Sequence, residues 1–284
     1  MKKLMMAVAG ALILAGCNQE EEVVAEPATD GTTEVRFSIN QLDVTTEPMG
    51  TRATVTDANM TDLWLLAYSA DTLAAQVHQS ATDAAFGTFS LKLKHGTYTF
   101  YVVASRGVSP VLDTTAKTIT WGSVRDTFWA VDGMTVSGED SATKTINLDR
   151  VACRARLSIT DVIPEGTAKV TFTPSHWYYG LNYQTGAAVG DNSSTIAVNI
   201  PSSYIGQQGM TVAFMCISPA AAWTTDVTAC MLGAGDAVLG SATVAGVPMC
   251  RNVSVTLSGS MLSATRGIGV TLNDTWTTGS EISW

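Results

Sequence analysis

The chain is poor in charged side chains, and its few cationic residues are scattered. Charged residues make up 14% of the sequence, against about 25% in an average soluble domain. The 25 acidic residues outnumber the 16 basic ones, which gives a net charge of -9. Nucleic-acid binding relies on clustered Lys and Arg side chains that release counterions from phosphates. We therefore expect no nucleic-acid partner.

The sequence also lacks the residue clusters that catalysis or metal binding requires. The three histidines, His78, His95 and His176, lie far apart and none occurs in an HExxH pattern, which gives zinc chemistry little support. Ser141-Ala-Thr-Lys144 matches a bare SxxK pattern, but the SDN and KTG segments that accompany that motif are missing. We predict that the protein is not an enzyme and uses no cofactor or metal.

Long apolar runs are absent apart from a short one at the N-terminus. Leu4 to Leu14 follows two lysines and precedes small residues, the layout of a secretory signal. A stable bilayer span needs about 20 apolar residues, so we predict that residues 1–16 are removed. Leu14-Ala-Gly-Cys17 resembles a bacterial lipobox, which implies lipidation of Cys17 and attachment to the outer membrane, where several acyl chains anchor stably. A plain secretory peptide with a chance cysteine is the alternative.

Residues 17–34 contain few groups that could order them. Glu20, Glu21 and Glu22 stand directly behind Cys17, and this block resembles the surface-export tag of certain Gram-negative lipoproteins. The alternative is a solvated tether that like charge keeps off an anionic membrane. The segment is rich in Glu, Thr, Ala, Gly and Pro, so we predict a flexible acidic leash over 17–34.

Cysteine is scarce beyond the lipobox, and no pair has a CxxC spacing. The four remaining residues are Cys153, Cys216, Cys230 and Cys250. Four cysteines allow three pairings, and an exported chain meets oxidising conditions, so the pairing stays open, including a disulfide among the last three. Cys153 and Cys216 alternate in phase with apolar neighbours, which predicts small core residues.

Alternation of apolar and polar residues recurs along the chain, while sustained helical periodicity is nearly absent. The alternating or apolar segments include 35–40, 89–94, 98–104, 151–159, 170–172, 196–200, 253–257 and 268–272. Turn residues at spacings near ten residues separate them, which favours sandwiches over a parallel sheet. About 265 residues after processing suit two domains. Because 136–145 is polar and loop-like, we predict an N-terminal β-sandwich domain over 35–147 and a C-terminal one over 148–284.

The residues resemble one known family, the fimbrillins of type V pili. The resemblance rests on the lipobox at Cys17, the segment Met49-Gly-Thr-Arg-Ala53, the strand Leu148 to Ile159 and a short aromatic-ended C-terminal strand. It implies two tandem Greek-key, transthyretin-like β-sandwich domains. It also implies a surface pilus subunit that serves adhesion and assembles with other copies or related subunits.

The family implies a maturation step at an arginine after the first strand. In this sequence an Arg-directed protease would cut between Arg52 and Ala53 and release the strand 35–42. Glu47-Pro48-Met49-Gly50 suits an exposed cleavage loop, because Pro lacks a ladder donor and Gly is conformationally free. An ordinary Arg in an ordinary loop is the alternative. Loss of Val35, Phe37 and Ile39 would leave an unpaired edge that accepts a strand from another subunit.

The family further implies that a C-terminal strand is the donor. Ile268, Val270 and Leu272 alternate as three apolar plugs, equal in number to those lost. The alternative is that this tail closes its own second domain. A non-polymerising anchor or tip subunit that stays lipidated is a second possible role within the family.

The aromatic segment after His176 suggests a different function. Trp177, Tyr178 and Tyr179 are candidate ligand-facing aromatics, because exposed rings stack on sugars or on a partner surface. This would make the protein a glycan-binding surface lipoprotein, or give a pilus subunit a host or bacterial receptor. The alternative is that these rings fill the rim of a sandwich.

Overall fold

A computed structural model of the protein describes residues 31–40, 60–138, 141–262, 267–273 and 282–283. The first ten strands are β1 (Thr32–Asn40), β2 (Asp62–Ser69), β3 (Thr72–Ser80), β4 (Thr88–Lys94), β5 (Gly96–Ser105), β6 (Val111–Asp113), β7 (Thr118–Thr120), β8 (Thr127–Val136), β9 (Ser141–Asn147) and β10 (Asp149–Arg150). The others are β11 (Ala152–Val162), β12 (Thr167–Pro174), β13 (Tyr178–Asn182), β14 (Ala188–Asp191), β15 (Ile196–Asn199), β16 (Gln208–Ile217), β17 (Trp223–Gly233), β18 (Val238–Met249), β19 (Ser254–Ser260), β20 (Gly267–Asn273) and β21 (Ile282–Ser283).

The prediction of an all-β sandwich protein is confirmed. Two short 3-10 turns, Ser202–Tyr204 and Ala234–Asp236, are the helical segments among the described residues. Within the same ranges, no helix has the length and apolar character that a membrane crossing needs.

The first sandwich is built from two sheets formed by strands β1 to β5 and β8 to β10. Sheet A has the order β4-β1-β9, and sheet B has the order β10-β8-β5-β2-β3. Alternate residues of both sheets point into one core between them. This core includes Val35, Phe37, Ile39, Leu63, Leu65, Phe89, Leu91, Phe100, Val102 and Ile146.

Two boundaries in this sandwich differ from the sequence-based expectations. Strand β1 begins at Thr32 rather than at Val35, because Thr33 is buried and its hydroxyl donates to the Ser137 carbonyl at 2.7 Å. The loop predicted over 136–145 is wrong for its second part, since residues from Ser141 onward form β9, which pairs in parallel with β1. Its Ser and Thr side chains face outward, so its polar composition hid a strand.

The second sandwich is built from strands β11, β12 and β15 to β21. Sheet D has the order β20-β19-β11-β16-β21, and sheet E has the order β15-β12-β17-β18. Phe172 stacks on Phe214 and meets Trp177 edge-on in the core between the sheets. Cys153 and Cys216 lie fully buried in this core, so their prediction as small core residues is confirmed.

A further sheet joins strands from both sandwiches. Sheet C has the order β14-β13-β7-β6, and its central pairing sets Gly180 opposite Thr120 and Leu181 opposite Ile119. It covers the outer face of sheet B and buries a third apolar cluster. That cluster includes Trp64, Leu66, Tyr68, Val103, Ile119, Trp121, Leu181, Tyr183 and Ile217.

Sheet C contains strands from both sides of the predicted boundary between the two domains. Strand β10, at residues 149–150, still pairs with β8 of the first sandwich, and β11 begins the second at Ala152. The domain limits at 147 and 148 stay a prediction, because β7 hydrogen-bonds with β13 from the other side of that limit.

Candidate functional site

The first candidate site is the place that β1 occupies, which we call the β1 groove. Its walls are β4, antiparallel to β1, and β9, parallel to β1. Strand β1 is therefore the middle strand of sheet A rather than an edge strand. Its departure would leave unpaired backbone groups on both walls, where an edge strand would leave them on one.

The floor of the β1 groove is the inner face of sheet B, where Phe100 meets Phe37 edge-on, and the neighbouring side chains on the two walls are apolar as well. Val35 lies opposite Leu91 of β4 and Ala142 of β9, while Phe37 lies opposite Phe89. Val35, Phe37 and Ile39 are 0%, 2% and 7% exposed. These three residues, predicted as the displaced strand, therefore fill three successive positions of the first core.

The outer face of β1 is polar and held by side-chain hydrogen bonds. Ser90 of β4 donates to a Glu34 carboxylate oxygen at 2.5 Å, and Arg36 pairs with the other oxygen at 3.1 Å. These two bonds hold the pKa of Glu34 below its ordinary value, with the Ser90 bond as the larger cause. At the end of the strand the Asn40 amide donates to the Asn147 side-chain oxygen at 3.1 Å.

The candidate donor strand lies at an edge of sheet D. Strand β20 pairs antiparallel with β19, and it ends the described order of that sheet. Ile268 is half-buried against the second core, whereas Val270 is 40% exposed. Leu272 lies in the same strand, opposite Val255. Strand β20 thus pairs with its own sandwich, but not all of its apolar side chains are buried there, since Val270 stays exposed.

The prediction that the aromatic segment faces a ligand is wrong for Trp177. Trp177 is fully buried in the second core, so its ring offers no surface to a sugar. Tyr178 and Tyr179 are half-buried and pack against the third apolar cluster, which sheet C covers. The ring of Tyr178 also meets the ring of Trp223 edge-on. Tyr178 and Tyr179 begin β13, which lies between β14 and β7 in sheet C.

A cleft does remain beside this segment. It has a volume of about 530 Å³, and its lining includes Trp121, Tyr179, Asn192, Thr195 and Ala197. Trp121 is only 4% exposed, and burial raises the pKa of Tyr179 to about 12. The cleft therefore has aromatic walls that are mostly covered, together with amide and hydroxyl groups.

Three of the predicted site residues cannot be placed. Cys17, Arg52 and Ala53 lie outside the described residues, so lipidation and cleavage stay predictions. Among the residues that are described, no His, Cys, Asp and Glu side chains form a group of three or more that could hold a metal ion.

Sequence reasoning missed one wall of the β1 groove. Strand β9 pairs with β1 over residues 141–147, and its Lys144 bonds to Asp132 at 2.9 Å. Its apolar inward positions are limited to Ala142 and Ile146, which is too weak an alternation to stand out. The feature of the sequence that could have indicated this strand is the pair of threonines at 143 and 145, since Thr favours β-strands.

No family model and no curated protein sequence matches the chain, but solved structures do. The fimbrial anchor protein Mfa2 from Porphyromonas gingivalis is 10% identical, with a TM-score of 0.54 over 86% of this chain and 98% of that one. A protein described as a candidate polysaccharide-binding protein from Bacteroides thetaiotaomicron is 10% identical, with a TM-score of 0.52 over 84% and 97%. A candidate adhesin from Bacteroides ovatus is 11% identical, with a TM-score of 0.51 over 82% and 88%.

At these identities the likeness is one of fold. It extends over more than four fifths of this chain in each case, so both sandwiches are included. The chain has the fold of fimbrial and adhesin proteins of Bacteroidetes, and its resemblance to the fimbrillins is confirmed at that level.

Proposed function

We propose that the protein is a fimbrial subunit of the bacterial surface that matures by losing β1 and assembles by accepting a strand from a neighbouring subunit. In this account the precursor is exported and lipidated at Cys17, and an Arg-directed protease cuts after Arg52. The cut separates β1 and the lipid from the rest of the chain.

The observation that carries the proposal is the position of β1. It is the first described strand, and its described ladders are those with β4 and β9. A cut between β1 and β2, which begins at Asp62, would sever β1 from the rest of the chain without breaking any other strand that the structure describes. Arg52 lies in that connection in the sequence.

The free energy lost when β1 leaves favours the binding of another strand in the vacated groove. Burial of a side chain such as Val, Phe or Ile stabilises by roughly 1.5 to 3 kcal/mol, so loss of the three plugs would forfeit roughly 5 to 9 kcal/mol. Unpaired backbone groups on β4 and β9 would add to that cost. A strand that restores both the ladders and the plugs is therefore bound strongly.

The sequence of the tail supports β20 as that strand. Val35-Arg-Phe-Ser-Ile-Asn40 and Ile268-Gly-Val-Thr-Leu-Asn273 share apolar residues at the same three positions, a hydroxyl residue at the fourth and Asn at the sixth. A shift of two residues would bring Arg266 or Asp274 into the apolar floor, which burial of a charge opposes. We therefore propose that β20 enters in the direction of β1, with Asn273 in the place of Asn40.

The contact would be head-to-tail. The β1 groove belongs to the first sandwich, and β20 belongs to the second. Because groove and donor lie on different parts of each subunit, the association is heterologous and grows filaments. The cell surface is the location that such a filament requires.

Amino-terminal sequencing of material released from the cell surface tests this proposal. A start at Ala53 in high-molecular-mass material supports the polymerising subunit. A lipidated Cys17 in all surface material contradicts it and favours a non-polymerising anchor subunit, the role named for the Porphyromonas gingivalis structure of the same fold.

A glycan-binding role is a second candidate, favoured by the cleft at Trp121 and Tyr179. Ala197 lies on the outer face of β15 at this cleft, so Ala197→Arg fills the cleft without disturbing the core. On a glycan array this role predicts binding by the unmodified protein that Ala197→Arg removes. Asn199→Arg, on the same exposed face of β15 and outside the cleft lining, is the matched control.

A further inference from the structure

Two buried cysteines face each other in the middle of sheet D. Cys153 of β11 lies directly opposite Cys216 of β16 in an antiparallel ladder. Their Sγ atoms are 3.4 Å apart, and both residues are 0% exposed. Directly opposite residues in such a ladder have Cα atoms about 4.5 to 5.5 Å apart, within the range of about 4.4 to 6.8 Å that a disulfide spans.

The geometry points to a disulfide between Cys153 and Cys216 in the exported protein. The sulfur atoms need to approach from 3.4 Å to about 2.05 Å, which small side-chain rotations supply. The other two cysteines give the pair no comparable competitor. Cys230 lies opposite Thr171 and Ser241, and Cys250 follows the end of β18.

The bond forms by thiol–disulfide exchange with a disulfide oxidant met during export. One cysteine loses its proton, and its thiolate attacks the oxidant disulfide to give a mixed disulfide and one released thiol. The thiolate of the second cysteine then displaces the other thiol of the oxidant. The two cysteines lose two protons and two electrons, and the oxidant becomes two thiols.

Burial sets the time at which this exchange occurs. In the folded protein neither sulfur reaches solvent, and burial raises the pKa of the Cys216 thiol well above its ordinary value, so little reactive thiolate is present. The exchange therefore takes place while the chain folds. Once the two sheets close, the bond is shielded from reductants.

The bond would tie the second sandwich together at its centre. Strands β12 and β15, which belong to sheet E, lie in the chain between Cys153 and Cys216. The cross-link therefore closes a loop that includes strands of the opposite sheet, and such closure stabilises by restricting the unfolded chain. This inference rests on the export in the proposed function, but not on cleavage or assembly.

Peptide mapping tests the bond on the unmodified cysteines. The chain from residue 18 is exported behind an ordinary secretory signal, blocked with alkylating reagent in acidic denaturant, and digested without reduction. Proteases that cut after Lys and Arg and before Asp release Cys153 in the peptide 151–154 and Cys216 in 191–225. They place Cys230 in 226–235 and Cys250 in 236–251.

We expect the peptide 151–154 linked to 191–225, two hydrogens lighter than the sum of the two. An alkylated Cys153, or its linkage to the Cys230 or Cys250 peptide, would overturn the inference. Refolding of reduced chain with a glutathione disulfide buffer should give the same linked pair, which separates the chemistry of the bond from the question of export.

Thermal unfolding of the uncut monomer provides a second readout. A disulfide that closes a loop of this length should raise the midpoint by about 8 °C or more, so protein that is reduced in denaturant and refolded under reductant should unfold at a midpoint lower by that amount. The Cys153→Ala/Cys216→Ala double variant should lose this response, and Cys230→Ser should keep it. Equal midpoints for the unmodified protein before reduction and after reduction in denaturant and refolding under reductant contradict the bond. Because both readouts use uncut monomer, a failure of polymerisation leaves them unaffected, and a missing bond leaves polymerisation open.

Discussion

The ring of Phe37 in β1 lies edge-on to the ring of Phe100 in β5, with centroids 4.7 Å apart and planes at 64°. Phe37 belongs to the strand that we propose is removed, and Phe100 belongs to the sheet that stays. Edge-on aromatic pairs contribute about 0.5 to 1.5 kcal/mol beyond their buried area. The contact therefore contributes to the free energy that holds β1 in the precursor.

Phe37→Ala should destabilise the uncut protein strongly. The substitution leaves a cavity in the first core, for which we expect a loss of about 3 to 5 kcal/mol in the free energy of unfolding. Denaturant unfolding monitored by tryptophan fluorescence measures it. Ser38→Ala, the neighbouring position on the outer face of β1, should change the same free energy by less than about 0.5 kcal/mol. An equal effect of the two substitutions would show that β1 is not packed as described.

Acid should weaken the hold on the outer face of β1. Because the folded pKa of Glu34 is below its ordinary value, its carboxylate stabilises the fold fully above the unfolded pKa, and this contribution is lost as pH falls through the folded pKa. Glu34→Gln should therefore lower the unfolding midpoint at pH 7 and have a smaller effect at pH 3. A difference that stays constant across this range would refute the assignment to Ser90 and Arg36.

Val270→Asp should block assembly while leaving the subunit folded. Val270 is 40% exposed at the edge of sheet D, so the substitution should change monomer stability by only about 0.5 kcal/mol. In a donor strand the carboxylate would enter the place of Phe37, where burial without a partner is strongly unfavourable. Sedimentation of protease-treated protein measures the polymer.

The matched control for that experiment is Thr271→Asp. Thr271 is the next residue of β20 and is exposed, and in the proposed register it takes the outward place of Ser38. We expect this variant to polymerise. Polymer formation by Val270→Asp would exclude β20 as the donor in this register.

Gly180→Ala should weaken the junction of the two sandwiches. A Cβ atom there would lie 2.8 Å from Thr120 Cγ2 and 2.9 Å from Val189 Cγ2, and β-branched side chains have little freedom to move aside. We expect a loss of about 1 to 3 kcal/mol by overpacking, measured from the urea midpoint. At Gly133 the nearest atom is 3.7 Å away, so Gly133→Ala should be tolerated. Equal midpoints for the two variants would contradict the close pairing of β13 with β7.

Much of the fold could be predicted from local alternation. The segments around Phe37, Leu91, Phe100 and Leu157 form strands with their apolar residues buried, because a half-buried strand repeats with a period of two. The buried positions of Cys153 and Cys216 follow from the same periodicity. This periodicity identifies which residues are inside each sandwich.

The shared sheet could not be predicted in this way. Its pairing of Gly180 with Thr120 joins residues far apart in the sequence, and β6 and β7 are three residues each, too short to show a period. Trp177 was interpreted as a candidate surface ring because aromatic side chains serve both cores and binding faces. Only the packing of Trp177 against Phe172 in the second core distinguishes the two.

Light scattering of the precursor after cleavage tests the central claim most directly. Purified precursor is treated with an Arg-specific protease, and amino-terminal sequencing confirms the cut between Arg52 and Ala53. The account predicts growth from monomer to filaments after this cut, inhibition of growth by excess peptide of residues 32–40, and no growth for Arg52→Ala, while Arg36→Ala behaves like the unmodified protein. A cleanly cut protein that has lost β1 and still scatters as a monomer would contradict it.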